Sequence, residues 1–256
     1  MTGLTVLLPP SETKREGGDI GTTLDLGVLS FPELSDERAA VITAARSVSS
    51  EESTARTALK LGPKSIAERH RNLSLDTAPT LPAIERYTGV LYDPLEAATA
   101  SVASRAWWAR HVVVQSAMFG PLGGGDPIPA YRLSHDSRLG SLRLASHWPA
   151  PAARALSSRS DGLVLDLRSE GYRALGPLDG AVPLRVVSDD GSGRRKALNH
   201  WNKTAKGRLV ALLARTGAEV SGMDDLLAWA AANGVVIDRV DGAWELVAES
   251  LAPATA

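Results

Sequence analysis

Residues 191–218 read GSGRRKALNHWNKTAKGRLVALLARTGA and carry seven Lys or Arg side chains and no acid. Leu198, Trp201, Ala205, Leu209 and Leu212 recur at i, i+3, i+7, i+11 and i+14, the spacing of one buried helical stripe, which predicts a helix over 196–215. Asn199, Lys203 and Lys206 fall on a neighbouring stripe, where two ammonium groups and a carboxamide converge beside the buried edge. The absence of acids removes the usual i,i+4 ion-pair reason for a charged helix face. From Glu219 to Ala256 the balance inverts, with seven acids against Arg239 alone, although the whole chain has a formal charge of only −1. Such segregation predicts a one-sided field that favours an anionic partner, with phosphate the first candidate.

Around this helix the chain alternates short β-rich runs with helical periods. Leu4–Leu8, Tyr87–Tyr92, His111–Gln115, Leu142–Ala145, Leu163–Leu167, Leu184–Val187, Val235–Val240 and Trp244–Val247 read as strands. Helices are expected near 36–47, 64–72, 94–109, 149–158 and 222–233. The fold class is therefore a mixed α/β, α+β-like arrangement. Ser47–Thr57 and Asp189–Gly193 read as mobile surface loops.

At 256 residues, 44% hydrophobic and 22% charged, the chain is an ordinary globular protein large enough to bury a core without staples. The absence of cysteine excludes disulfides, thiolate catalysis and Cys-based zinc sites. The start MTGLTVLLPPSETK has no basic n-region, and no apolar run approaches the roughly 18 residues that span a bilayer. A soluble, cytoplasmic protein with no membrane partner is expected. The five histidines form no H-x-x-x-H pair, so no metal site is expected, and no cofactor is implied. His147-Trp148 reads as packing.

Polar chemistry gathers at the predicted strand exits, where a rigid scaffold carries functional loops. Pro9-Pro10-Ser11-Glu12-Thr13-Lys14 presents a hydroxyl, a carboxylate and an amine after a stiffened turn. Tyr87-Thr88-Gly89 follows. Gln115 to Pro129, with Ser116, Gly120 and the triple glycine 123–125, leads into Tyr131-Arg132-Leu133, and its glycines expose backbone N–H groups to an anion. Asp166-Leu167-Arg168-Ser169-Glu170-Gly171-Tyr172 closes the set.

In order and wording these clusters resemble the YaaA family, also called DUF328 or UPF0246. The match is carried by Pro10, Ser11 and Lys14, Tyr87-Thr88-Gly89, Ser116 to Pro121, Tyr131-Arg132-Leu133, His147-Trp148, Asp166 to Tyr172, and Lys203-Thr204-Ala205-Lys206-Gly207-Arg208. The resemblance implies a single domain over residues 1–256, a positively charged cleft, a helix-hairpin-helix-like element, duplex DNA binding and a role in peroxide stress. Two departures stand out. The arginine expected after the Phe119-Gly120 segment is replaced by glycines, and Ser-Glu-Thr-Lys stands where much of the family has a Pro-Ala-Lys variant.

Two function classes follow. The first is a nucleic-acid-binding stress protein whose Arg194, Arg195, Lys203, Lys206 and Arg208, aided by Arg132, Arg138 and Arg143, hold DNA phosphates without reading sequence. Trp107-Trp108 would stack on bases in this reading. The alternative is an enzyme acting on a nucleotide, nucleoside or nucleobase, for example by N-glycosidic cleavage. There Lys14 or Lys203 is a desolvated amine and Glu12, Asp166 or Glu170 a general base, while Ser11, Tyr87, Thr88, Ser116, Gly120, Arg132, Ser169, Tyr172, Asn199, Lys206 and Arg208 bind the ligand. A binding protein for a small anion is the third possibility.

Overall fold

The computed structural model describes residues 3–159, 161–189, 195–197 and 201–251. Three apolar runs, β1 (Thr5–Leu8), β3 (Val112–Ser116) and β6 (Val164–Asp166), form its centre. β1 lies between the other two and parallel to both, with Leu7 opposite Val113 on one side and Asp166 on the other. Successive side chains enter opposite faces. Val6, Leu8, Val112, Val114 and Leu165 join a large core, whereas Leu7, Val113 and Val164 join a smaller one. Unbroken apolar runs are what a parallel sheet covered on both faces requires.

The sheet runs in the order β4-β3-β1-β6-β7-β10-β9. β7 (Val182–Asp189) is parallel to β6 and to β10 (Ala243–Val247), whereas β4 (Gly120–Gly123) and β9 (Ile237–Val240) are antiparallel outer strands. Asp241 and Gly242, at φ 49° and 82°, make the two-residue turn with left-handed geometry that suits a hairpin between β9 and β10. β8 (Arg195–Ala197) pairs with the end of β7, and β2 (Leu81–Pro82) with β5 (Pro127–Ile128) apart from the main sheet.

The larger core is covered by α1 (Ser35–Ser50), α2 (Glu52–Ala58), α4 (Ala83–Arg86), α5 (Val102–His111), α9 (Trp201–Thr216) and α10 (Met223–Ala232). α7 (Pro149–Arg159) covers the smaller core through Ala155 and Leu156. The short helices α3 (Arg69–Leu73), α6 (Leu144–His147) and α8 (Glu170–Leu175) complete the connections.

Several sequence expectations are corrected. Tyr87–Tyr92 is not a strand: Tyr87 makes one bridge to Lys14, then Gly89 turns the chain at φ 92°. Leu142–Ala145 runs into α6. Ser47–Thr57 is helical through α1 and α2, supported by an Arg56–Glu52 pair at 3.2 Å. The expected helix 94–109 is broken by Glu96 in the left-handed region, and α5 starts afresh where Ser101 Oγ accepts from the Ser104 amide. The expected helix 64–72 splits into a turn, Ile66–Glu68, and α3.

The predicted helix 196–215 begins at Trp201. Residues Arg195–Ala197 are a strand because they pair with Val187–Asp189 and because Arg195 is held by Asp238 at 2.5 Å and by Asp189 and Glu245 at 3.5 Å. Asp189 belongs to β7, and the rest of the expected loop, residues 190–193, lies outside the described residues, as do Arg194, Leu198 and Asn199. The segment expected to hold a helix-hairpin-helix element is a tight turn followed by β4 and β5. Two of its glycine amides are committed within the protein. The Gly123 amide and the Ser30 amide and hydroxyl are taken by the Asp126 carboxylate, and the Gly124 amide by the Val112 carbonyl. A Cβ on Gly124 would stand 2.6 Å from the Trp108 carbonyl, which is why glycine belongs there. Trp107 and Trp108 are 1% exposed, so neither stacks on bases.

One contact seats α9. Gly207 lies so close to the turn at Leu91 that a Cβ would fall 2.0 Å from the Leu91 carbonyl oxygen. Tyr92, next in that turn, donates its hydroxyl to the Pro9 carbonyl at 2.8 Å, tying the turn to the end of β1. Gly207→Ala must push helix and turn apart. The expected loss is about 2 kcal/mol or more in urea unfolding, the scale of an overpacked core.

Candidate functional site

Within the main sheet the next strand after β1 is β3, on one side of it, while β6 lies on the other side and leads on to β7, so the strand order reverses between β1 and β6. Open α/β sheets bind ligands in the crevice outside the carboxyl ends of strands at such a point. Here a chamber of about 380 Å³ opens there, between Pro9 after β1 and the Asp166–Glu170 exit of β6. Arg168, Arg173, Arg185, Lys203 and Lys206 line it against two carboxylates, Asp166 and Glu170, with Trp244 of β10 on the far wall. A second chamber of about 500 Å³ adjoins it, sharing Pro9, Leu91, Ser169 and Lys203. Its walls include Ser11, Glu12, Thr13, Ser134, His135 and Tyr172.

Charge in the first chamber is unevenly committed. Asp166 accepts from Arg168 at both oxygens, at 2.9 and 2.8 Å, and from the Arg168 amide at 3.0 Å. Arg168 also donates to the Gly176 carbonyl at 2.7 Å. This buried pair is self-contained and positions the β6 exit. Arg185 faces Glu245 at 3.6 Å. Arg173, Lys203 and Lys206 have no carboxylate at ion-pair distance among the described residues. Lys206 donates to the Leu167 carbonyl at 3.0 Å, and burial pushes its ammonium pKa down to about 8 against the pull of Asp166, with Arg173 and Lys203 adding to the depression.

Behind the second chamber lies Lys14. Its Nζ donates to the carbonyls of Ser11 at 2.9 Å and Glu12 at 3.2 Å, and sits 4.0 Å from the Tyr131 ring centroid. The loop thus wraps its own ammonium group. Burial lowers the Lys14 pKa to about 7, helped by Arg132 and Arg71 and opposed by Glu68 and Glu12. Beneath it the Tyr87, Tyr131 and Ser116 hydroxyls form a chain with 2.8 Å links, and Ser116 Oγ accepts from the Met118 and Phe119 amides. Arg132 bridges Glu12 at 3.0 Å and Glu68 at 3.1 Å.

Of the residues singled out in the sequence, Ser11, Glu12, Asp166, Ser169, Glu170, Tyr172, Lys203 and Lys206 meet in the two chambers. Lys14 and Arg132 support the wall from behind. Tyr87 and Ser116 are buried, and Thr88 lines a separate surface hollow. Gly120, at φ 67°, lies flat against the Trp148 indole, where a Cβ would come within 2.6 Å. Trp148 is fully buried, as its packing role requires. Arg208 is on another side of α9, donating to the Leu251 carbonyl at 3.3 Å. Arg138 and Arg143 are exposed outside both chambers.

The residues that sequence reasoning missed are Arg173, Arg185, Ser134 and Trp244. Arg173 was within reach, one helical turn after Glu170. The rest depend on strand order, which spacing along the chain does not reveal. Among the described residues no group of His, Asp or Glu could hold a metal ion, and no helix is long and apolar enough to cross a membrane.

A mostly parallel α/β sheet with lysine side chains and strand-exit carboxylates gathered at its switch point defines the class of protein. Over residues 4–234 the chain matches the family described as peroxide stress protein YaaA, and it belongs to that family. A UPF0246 protein of Corynebacterium efficiens is 38% identical over 244 residues, covering 93% of this chain and 96% of the relative. One from Streptomyces coelicolor is 40% identical over 227 residues, 87% of each chain.

Lys14 makes a pH prediction. Its lowered pKa means that the folded protein binds fewer protons than the unfolded chain between about pH 7 and the ordinary lysine value. Stability therefore rises with pH in that window, by up to about 1.4 kcal/mol per pH unit. Lys14→Met removes this slope. Unfolding curves at pH 7 and pH 9.5 should show wild type gaining on the variant, and parallel behaviour would exclude a titrating Lys14.

Proposed function

We propose that this chain serves the peroxide-stress response by binding a phosphate-bearing ligand, a nucleotide or the backbone of duplex DNA, in the crevice between β1 and β6. The observation that carries the reading is the excess of cationic side chains there, with Arg173, Lys203 and Lys206 left without carboxylate partners among the described residues. Its volume is that of a small-molecule site. A nucleotide is favoured over an extended duplex track, because Arg195 is held by three acids and Arg208 lies on another side of α9, away from the crevice. The chain has no cysteine and only three methionines, a weak set for sensing, so in this reading the protein acts downstream of oxidation, in the cytoplasm.

A second reading, turnover of that ligand, rests on Lys206. Its depressed pKa leaves part of the amine neutral near physiological pH, within the same chamber as the Glu170 carboxylate. Lys206→Arg would then keep binding and lose release of free base or sugar, followed by chromatography.

Calorimetric titration with nucleoside monophosphates tests the binding reading. Lys203→Ala and Lys206→Ala should each weaken binding about tenfold or more, the scale of a lost charge-assisted contact. For duplex DNA, two lysine contacts give a slope of log affinity against log salt of about −2. A much steeper slope, or duplex binding indifferent to both substitutions, would move the DNA contact elsewhere. Absence of binding to any phosphate ligand at low salt would end the proposal.

A further inference from the structure

The second chamber differs in chemistry from the first. It carries the Glu12 carboxylate and the Ser11, Thr13 and Ser169 hydroxyls beside an aromatic wall, and it joins the cationic chamber at Lys203 and Ser169. The wall is rigid. Tyr172 and His135 meet edge to face with ring centroids 5.0 Å apart, and Gly171 lets the imidazole lie so close to the α8 backbone that a Cβ would come within 2.7 Å of it. Tyr172 is buried, and its phenol pKa is raised to about 12 by that burial, so it stays a neutral hydrogen-bonding ring.

Glu12 is aimed by its neighbours. Arg132 donates to Oε2 at 3.0 Å, and Arg132 is itself fixed by Glu68 and by the Asn72 side chain, which accepts from the Arg132 amide at 2.8 Å. Oε1 has no partner among the described residues. The Lys14 ammonium holds the Glu12 carbonyl from below. The result is an oriented carboxylate acceptor in the second chamber, which Lys203 also lines, one chamber away from Lys206.

We propose that the second chamber seats the nucleoside part of a nucleoside monophosphate whose phosphate lies at Lys203 and Lys206, and that Glu12 selects a purine base presenting N–H donors. The proposal rests on the phosphate reading above and adds what the ligand carries. Guanine fits this chemistry best, because its Watson–Crick edge places two N–H donors side by side, the complement of a carboxylate. Ribose 5-phosphate satisfies the first chamber and leaves Glu12 and the aromatic wall unused.

Titration of the full chain with GMP, ribose 5-phosphate and inorganic phosphate decides it. Wild type should bind GMP at least about tenfold more tightly than ribose 5-phosphate. Glu12→Ala should abolish most of that ratio. The ratio is the proper reading, because removing Glu12 also frees Arg132, which raises affinity for any phosphate alike. Glu12 is exposed enough that its loss spares the core, and Arg132 retains Glu68. Equal affinity for GMP and ribose 5-phosphate, or a ratio unmoved by Glu12→Ala, overturns the nucleoside assignment while leaving the phosphate reading standing. Failure of all three ligands to bind overturns both.

Discussion

The close approach of Gly207 to the Leu91 carbonyl determines the shape of everything around the crevice. Without a side chain at 207, α9 settles against the turn, and the turn is tied through Tyr92 to Pro9 at the end of β1. That chain of contacts sets the distance between the helix carrying Lys203 and Lys206 and the strands whose exits carry Ser11, Glu12 and Ser169. From the other side Lys206 reaches the Leu167 carbonyl and so registers α9 on the β6 exit. The lysine-containing stretch is therefore the fixed roof of a cavity and not a free basic face.

Charge segregated along the sequence is redistributed by folding. The acids that follow the basic segment return to it, as Asp238 and Glu245 do at Arg195 of β8. Arg38 and Arg86 spend their guanidinium groups on buried carbonyls, Arg38 on those of Phe119 and Pro121 and Arg86 on those of Ile128 and Pro79. At the switch point Arg173, Lys203 and Lys206 have no carboxylate at ion-pair distance among the described residues. Burial there lowers the Lys206 pKa to about 8, so an entering anion would favour its charged form as well as benefit from it.

The parts of the fold legible in the sequence were those decided by burial on both faces. β1, β3 and β6 are mostly apolar, and α1, α7 and α10 have clear helical periods. Tyr87–Tyr92 misled because its aromatic residues pack as a turn against Lys14, and Arg195–Ala197 because pairing with β7 outweighed helical periodicity. The acid-free helical stripe found Lys203 and Lys206, and the strand-exit rule found Ser11, Glu12, Ser169, Glu170 and Tyr172. It could not tell lining from support: Lys14, Arg132 and Asp166 are equally polar in sequence, and only their partners show that Lys14 and Arg132 brace the wall and that Arg168 occupies Asp166. Trp244 and Arg185 enter through β7 and β10, whose adjacency to β6 no local pattern encodes.

The family match ends at residue 234, yet the β9–β10 hairpin begins at Ile237 and delivers Ala243 and Trp244 to the first chamber. One wall of the site is thus furnished by an edge hairpin whose pairing with the rest of the sheet is through β7. A hairpin at a sheet edge can change length and composition without disturbing the strands that build the switch point. Changes in this hairpin would therefore alter one wall of the crevice without touching β1 or β6, with which it does not pair.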